Sequence, residues 1–312
     1  FFVLIGSALF VLVFILGKVD QSWSEVLDLA DASGKLDLVD WSTDPRVAMT
    51  FWAALLAMPF QNVAVYGTDQ LFVQRLLCCK DETAARKAVL WSTIGEIVPM
   101  VMLAVGLLLY AFYQQYPMAA EFSILVTERS DRVFPVFILS ELPAGIRGLM
   151  IAGLLSAAIS SLDSILAALS QITYKLLFSD RFKIFSAVDV SRAIVLVWGL
   201  VLCLMAYAMA DSRLNLIDLA FTMTTYTYGP LLGVMVMSMI GMRRGYLVIP
   251  AALVSIMLVV ALNHPGLVLA SKTDAGPLLA WPWLFPIGTI SCLLLAYGSD
   301  LMGCYGDKLK VS

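Results

Sequence analysis

The chain is poor in charge and in histidine. Asp, Glu, Lys and Arg make up 14% of its 312 residues, and His264 is its one histidine. A soluble domain carries about a quarter charged residues. A lone histidine, expected in a loop, argues against a histidine-based metal centre or a Ser-His triad. Five cysteines are present. Cys203 and Cys292 fall in apolar runs, and Cys78, Cys79 and Cys304 in segments expected on the cytoplasmic side, so no disulfide framework follows. The adjacent Cys78 and Cys79 read as inert thiols. There is no P-loop, no glycine-rich dinucleotide loop after a strand, and no basic-aromatic surface, so no nucleic acid partner is expected. The opening run FFVLIGSALFVLVFILGKVD has no initiator methionine, no basic n-region and no small-residue cleavage site. It reads as the inside of an apolar run rather than a signal peptide. The expectation is a fragment whose earlier helices are missing.

What the chain has instead is apolar length. Hydrophobic residues make up 61% of it. Eight apolar segments, at about 1–17, 47–67, 88–113, 144–178, 188–210, 214–241, 245–262 and 282–299, are each long enough to span a bilayer, or nearly so. The expected fold class is therefore an all-α integral membrane protein. The connections alternate in charge. Arg75, Lys80, Arg86, Lys87, Lys175, Arg181, Lys183, Arg243, Arg244, Lys308 and Lys310 cluster after segments two, four and six and in the tail. The loop at 18–46 is acidic, with Asp20, Glu25, Asp28, Asp31, Asp37, Asp40 and Asp44. The positive-inside rule places 69–87, 179–187, 242–244 and the tail in the cytoplasm. A multi-pass protein of the plasma (inner) membrane is expected, with the lipid bilayer as a partner.

The stretch AGIRGLMIAGLLSAAISSLDSILAALSQITYKLLF (144–178) carries hydroxyls and a carboxylate at its midpoint. On a helix, Ala157, Ser160, Ser161 and Ser164 share one face, and Asp163 lies about 60° round from Ser160. A carboxylate at membrane depth is expensive and normally faces a partner, an ion or a bundle interior. The competing reading is a small-residue packing stripe. Spacing alone leaves both open, since each wants small residues at i, i+3 and i+4.

Four other places carry polar groups into apolar runs. Pro59 precedes Gln61 and Asn62, and is expected either to kink the second span or to mark a discontinuous helix. Glu96, three residues before Pro99, is expected to be buried in the third span, as a site residue or a brace. FTMTTYTYGPLLG concentrates hydroxyls from Thr222 to Tyr228, which helix packing could also explain. Asp218 is expected to be solvated or capping, and WPWLFP (281–286) to form an interfacial aromatic belt.

Three stretches resemble the sodium/solute symporter family. GLLSAAISSLDSILAALSQITYKLL is similar to its signature helix, YGTDQLFVQRLLCCKDETAARKA to its Asp-Gln and Gln-Arg motif, and TYTYGPLLGVMVM to its later Gly-Pro helix. They fall in the family's order. The resemblance implies an inverted-repeat sodium-symporter (LeuT-like) fold within one transmembrane domain, 1–312, with about eight transmembrane helices present. Residues 1–17 would be the last helix of the first repeat, 47–241 the second five-helix repeat, and 245–299 two additional helices.

By the same resemblance the coupling ion is sodium. Ala157 would supply its carbonyl to it, Ser160 and Ser161 their hydroxyls, and Asp163 stands near where some members bind a second cation. Asn62 matches the family's amide on the kinked helix. With Gln61, Tyr66, Glu96 and Thr222 it makes the expected solute set. Glu96 stands about where sugar carriers have a lysine and Thr222 about where they have a glutamine. Val65 stands where they place a gating aromatic, with Tyr66 one residue later, and these departures argue against a hexose. The implied function is sodium-coupled secondary transport of a small organic solute by alternating access. The alternatives are a membrane sensor using the same fold, or a channel. No enzyme is expected, since Ser160 has no histidine or lysine nearby in sequence to activate it.

Overall fold

The structure, a computed structural model, describes residues 2–19, 22–37, 39–177, 187–210, 215–240, 247–265 and 277–311. The expected cytoplasmic connections at 179–186 and 242–244 lie outside them. The helices run α1 (Phe2–Lys18), α2 (Trp23–Ala32), a π-helical turn (Ala53–Ala57) leading into α3 (Met58–Thr68), and α4 (Gln70–Leu77). Then come α5 (Glu82–Ser92), a 3₁₀ turn (Thr93–Glu96) leading into α6 (Ile97–Gln115), α7 (Ala120–Glu128), α8 (Val133–Glu141) and α9 (Ala144–Leu177). The chain finishes with α10 (Ala187–Met209), α11 (Leu216–Ile240), α12 (Val248–Asn263) and α13 (Trp281–Val311). No β-strand forms among the described residues. Asp40 and Thr50 make one isolated bridge.

Helix fills most of each of the eight apolar segments among the described residues, with residues 47–50 non-helical. Four helices are long and apolar enough to cross a membrane by length and composition: Glu82–Gln115, Ala144–Leu177, Val188–Met209 and Trp281–Gly298. Each exposes large apolar side chains. Leu196, Leu200, Leu204 and Tyr207 on α10 are all more than half exposed, which suits lipid and not water.

The chain divides into two compact units. The first comprises Phe1–Leu36 and Cys78–Asn215. Its core joins Val11 and Ile15 of α1, Val26 of α2, Leu108 and Phe112 of α6, Phe137 of α8 and Met150 of α9. The acidic loop expected at 18–46 contains α2, which has a capping box. Ser22 accepts from the Glu25 backbone and Glu25 accepts from the Ser22 backbone, so two orphan amides are satisfied at once. The stretch at 69–87, expected as a cytoplasmic loop, is mostly helix, α4 and the start of α5. Asp81 caps α5 through the Ala84 amide at 2.7 Å.

The second unit comprises Asp37–Leu77 and Leu216–Ser312. Its core is the packing of α11, α12 and α13. Gly229 and Gly233 bring α11 against α13: a Cβ at Gly229 would stand 2.7 Å from the Phe285 carbonyl and 3.1 Å from Gly288 Cα. Thr289 donates to the Gly229 carbonyl at 2.9 Å. Ser255 of α12, fully buried, donates to the Gly288 carbonyl at 2.7 Å. Small residues and short hydroxyl bonds are how helices associate where lipid offers no hydrophobic gain.

Two expectations, on WPWLFP and on Glu96, are corrected here. WPWLFP is no interfacial belt: Leu284 and Phe285 are fully buried, and Trp281 stacks on Phe221 at 4.6 Å between ring centroids. Asp218 is half-buried and accepts the Trp281 indole at 3.2 Å. It also sits in the first turn of α11, where the helix dipole favours an acid. Glu96 is exposed, not buried. It ends a 3₁₀ turn that places Gly95, whose carbonyl an α-helical Pro99 would clash with, at a tightened point of the helix.

Candidate functional site

The polar candidates lie on both units. On the first, α9 runs unbroken through the hydroxyl cluster for 34 residues, about 50 Å at 1.5 Å per residue. Ser161 Oγ donates to the Ala157 carbonyl at 3.2 Å, and Ser164 Oγ repeats the pattern to Ser160 at 3.1 Å. The helical repeat thus sets a hydroxyl and a carbonyl oxygen side by side on one face. Each such carbonyl keeps a second lone pair. Ser160, Ser161 and Asp163 are exposed, and Ala157 and Ser164 half-buried. Within the described residues the stripe is therefore not a filled packing face. Asp163 makes no hydrogen bond or ion pair among them. The donor set, neutral oxygens beside one carboxylate, suits a hard cation and not a soft one.

The C-terminal half of α9 is tied to α10. Thr173 accepts the Trp198 indole at 2.9 Å, and Ser170, buried, donates to the Ser191 carbonyl at 3.4 Å. Glu96 lies on a different helix of this unit, and no described side chain pairs with it.

On the second unit the Pro59 helix is wound throughout. The π turn bears on the two expectations: Met58 N–H reaches the Ala53 carbonyl, one residue farther than in an α-helix, and this widened turn directly precedes Pro59, which has no N–H to donate. The segment is helical without a break from 51 to 68, not discontinuous. Gln61 is buried, Asn62 exposed and Tyr66 half-buried. Gln61 and Asn62 are adjacent residues and so point to different sides of α3.

The hydroxyl run on α11 is largely consumed locally. Thr224, Thr225 and Thr227 each donate to the carbonyl three residues back, at 2.8, 2.7 and 3.4 Å. Thr222 is buried. Two features were not anticipated from sequence. Tyr228 donates to Asp69 at 2.6 Å, although Asp69 belongs to the quoted Asp-Gln motif. Asn263 and His264, where α12 ends, gather round the Tyr226 hydroxyl at 2.5 and 2.9 Å.

These observations define a multi-pass α-helical membrane protein with oxygen-bearing notches in its helices. A family model for the sodium:solute symporter family matches residues 1–245. The chain belongs to that family. It is similar to the rabbit (Oryctolagus cuniculus) sodium-dependent multivitamin transporter, 28% identical over 76% of this chain and 36% of that protein. It is also similar to the human sodium/iodide cotransporter, 25% identical over 69% of this chain and 34% of that one. Sodium-coupled monocarboxylate transporter 2 of Danio rerio is 26% identical over 70% of this chain and 34% of its own length. The chain spans about a third of the length of these relatives. Among solved structures, a Na+-coupled sialic acid symporter in a substrate-bound outward-open state superposes with a TM-score of 0.74 at 22% identity. That match covers 96% of this chain and 60% of the other. The fold is the inverted-repeat fold of sodium symporters.

Proposed function

We propose that the protein is a sodium-coupled secondary transporter of a small organic solute, working by alternating access. The observation that carries this reading is the paired oxygens on α9, a serine hydroxyl and a carbonyl 3.2 Å apart on an exposed face of a spanning helix. Sodium is cargo here, held by the Ala157 carbonyl and the Ser160 and Ser161 hydroxyls, with Asp163 beside them for a second cation or a proton. Solute contacts are assigned to Asn62, Gln61, Tyr66 and Thr222, and separately to Glu96. Residues 1–17 are assigned to the end of a first repeat, 47–241 to a second five-helix repeat and 245–299 to two further helices, within the plasma (inner) membrane. Sodium stabilises one conformation, and the solute binds that conformation better, so coupling is a difference of affinities. The serines act as ligands and not as nucleophiles.

The test uses full-length protein in liposomes and a labelled panel of iodide, lactate, biotin, sialic acid, an amino acid and a hexose. Uptake of at least one is expected to rise when an inward sodium gradient is imposed, and to fall to background when choline replaces sodium. Flux that ignores sodium and exceeds carrier turnover would mean a channel. Saturable binding with no flux at all would mean a sensor.

Orientation has its own test. A cysteine at Ser33 is expected to label from outside, and one at Thr83 only after permeabilisation. The reverse pattern would invert every loop assignment.

Glu96 is assigned to favouring a cationic or hydroxyl-rich solute. Glu96→Gln keeps the shape and removes the charge. It is expected to raise the half-saturating concentration of a cationic solute and to lower that of an anionic one. An unchanged affinity and pH profile would leave Glu96 as a brace.

A further inference from the structure

Asp69 stands at the one non-helical residue between α3 and α4, in extended backbone with φ −71° and ψ 120°. Its two carboxylate oxygens do different things. Oδ1 accepts the Leu71 amide at 2.8 Å and so caps the start of α4. Oδ2 accepts the Tyr228 hydroxyl of α11 at 2.6 Å, the short length of a charge-assisted bond. The next residue after Leu71, Phe72, packs edge-on against Tyr66 of α3 with ring centroids 5.4 Å apart. Tyr228 in turn precedes Gly229 and Pro230, where α11 is locked to α13 by the Thr289 bond and by backbone contact. The chain of contacts therefore runs from the buried α11–α13 seam through Tyr228 to Asp69, into the first turn of α4, and back by Phe72 to Tyr66.

Near this end of α3 a Cβ added at Gly67 would stand 2.7 Å from Met235 Sδ of α11. A thioether tip yields readily. Tyr228 sits beside Gly229, where α11 meets the backbone of α13.

We propose that Asp69 and Tyr228 are a positioning pair that sets the orientation of α3, the helix carrying Asn62 and Tyr66, by anchoring its cytoplasmic end to the α11–α13 seam. The proposal rests on the reading of Asn62 and Tyr66 as solute contacts for its functional meaning, but not for its geometry. Neither residue of the pair touches solute in this scheme. They act through the α3–α4 joint.

The experiment places a reporter cysteine at Asn62 in full-length protein in liposomes, with the native cysteines changed to serine. The rate of alkylation by N-ethylmaleimide is measured alone and with Tyr228→Phe, Asp69→Asn or both. Asp69→Asn keeps a side-chain carbonyl for the Leu71 cap and replaces the charged acceptor facing Tyr228 by an amide that can only donate to the hydroxyl, so it weakens the tyrosine bond without removing the cap. Each single variant is expected to change the rate about tenfold, the equivalent of about 1.4 kcal/mol. The double variant should match the larger single one, because both act on the same bond. A second reporter at Ser33 should keep its rate. Unchanged alkylation at position 62 overturns the proposal, as do additive effects or equal changes at both reporters, which would mean general loosening. If Asp69→Asn fails to fold, Tyr228→Phe decides alone, since it removes one oxygen and leaves the ring. Alkylation needs neither sodium nor a known solute, so failure of the positioning pair and failure of the transport reading are read separately.

Discussion

Gly229→Ala is expected to destabilise the protein by about 1–3 kcal/mol, the range for forcing a methyl into a packed interior. The neighbours explain why it cannot be absorbed. The added Cβ would meet the Phe285 carbonyl at 2.7 Å, Gly288 Cα at 3.1 Å and the Thr289 amide nitrogen at 3.3 Å. All three are backbone atoms of α13, so relief requires moving a helix and not turning a side chain. Moving α13 would also stretch the Thr289 bond to the Gly229 carbonyl and the Ser255 bond to the Gly288 carbonyl. Two other glycines serve as controls. Gly67→Ala meets only the Met235 side chain, and Gly106→Ala, inside α6, meets nothing within 4 Å. The latter is expected to be neutral or to stabilise by about 0.5–1 kcal/mol, since alanine loses less backbone entropy in a helix. Thermal unfolding of the full-length protein in detergent measures all three. A Gly229→Ala midpoint equal to that of Gly106→Ala would show that the α11–α13 seam yields easily.

Ser161→Ala is expected to raise the half-saturating sodium concentration about 5- to 150-fold. That range corresponds to losing about 1–3 kcal/mol, as for a buried polar group left without its partner. The fold should survive. Ser161 is exposed, and its one described side-chain bond is to the Ala157 carbonyl at 3.2 Å. That carbonyl keeps its helical donor when the hydroxyl goes, so no orphan group is created. Ser160→Ala is expected to act in the same direction. Sodium-dependent uptake by full-length protein in liposomes, with the thermal midpoint as a check on folding, separates ion binding from packing. An unchanged sodium dependence in both variants would take the hydroxyls out of the ion site.

Much of this architecture was legible in the chain. Apolar length above what a buried core helix needs marks a spanning helix whatever packs beside it, and most of each expected segment is helical among the described residues. The hydroxyl stripe on α9 was legible too, because face-sharing at i, i+3 and i+4 is a property of the helix itself. Errors arose where a neighbour decides. WPWLFP has the composition of an interfacial belt. Phe221 and the α11–α13 packing bury it instead, and nothing local to those residues says so. Glu96 was expected inside because its run is apolar. Its exposure depends on which side of the helix meets other chain, and that side is shifted by the 3₁₀ turn beside Pro99.

The sequence by itself determined the class of protein, the helical spans and the candidate ion stripe, since these follow from hydrophobic length, backbone periodicity and motif order. Only the tertiary structure decided which polar groups are already partnered. Asp69 and Tyr228 are 159 residues apart, and Gly229 and Thr289 are 60 apart. Contacts over such separations are set by how helices stack. A single chain read in order carries no record of which glycine admits a neighbouring backbone, or of which carboxylate a distant tyrosine will reach.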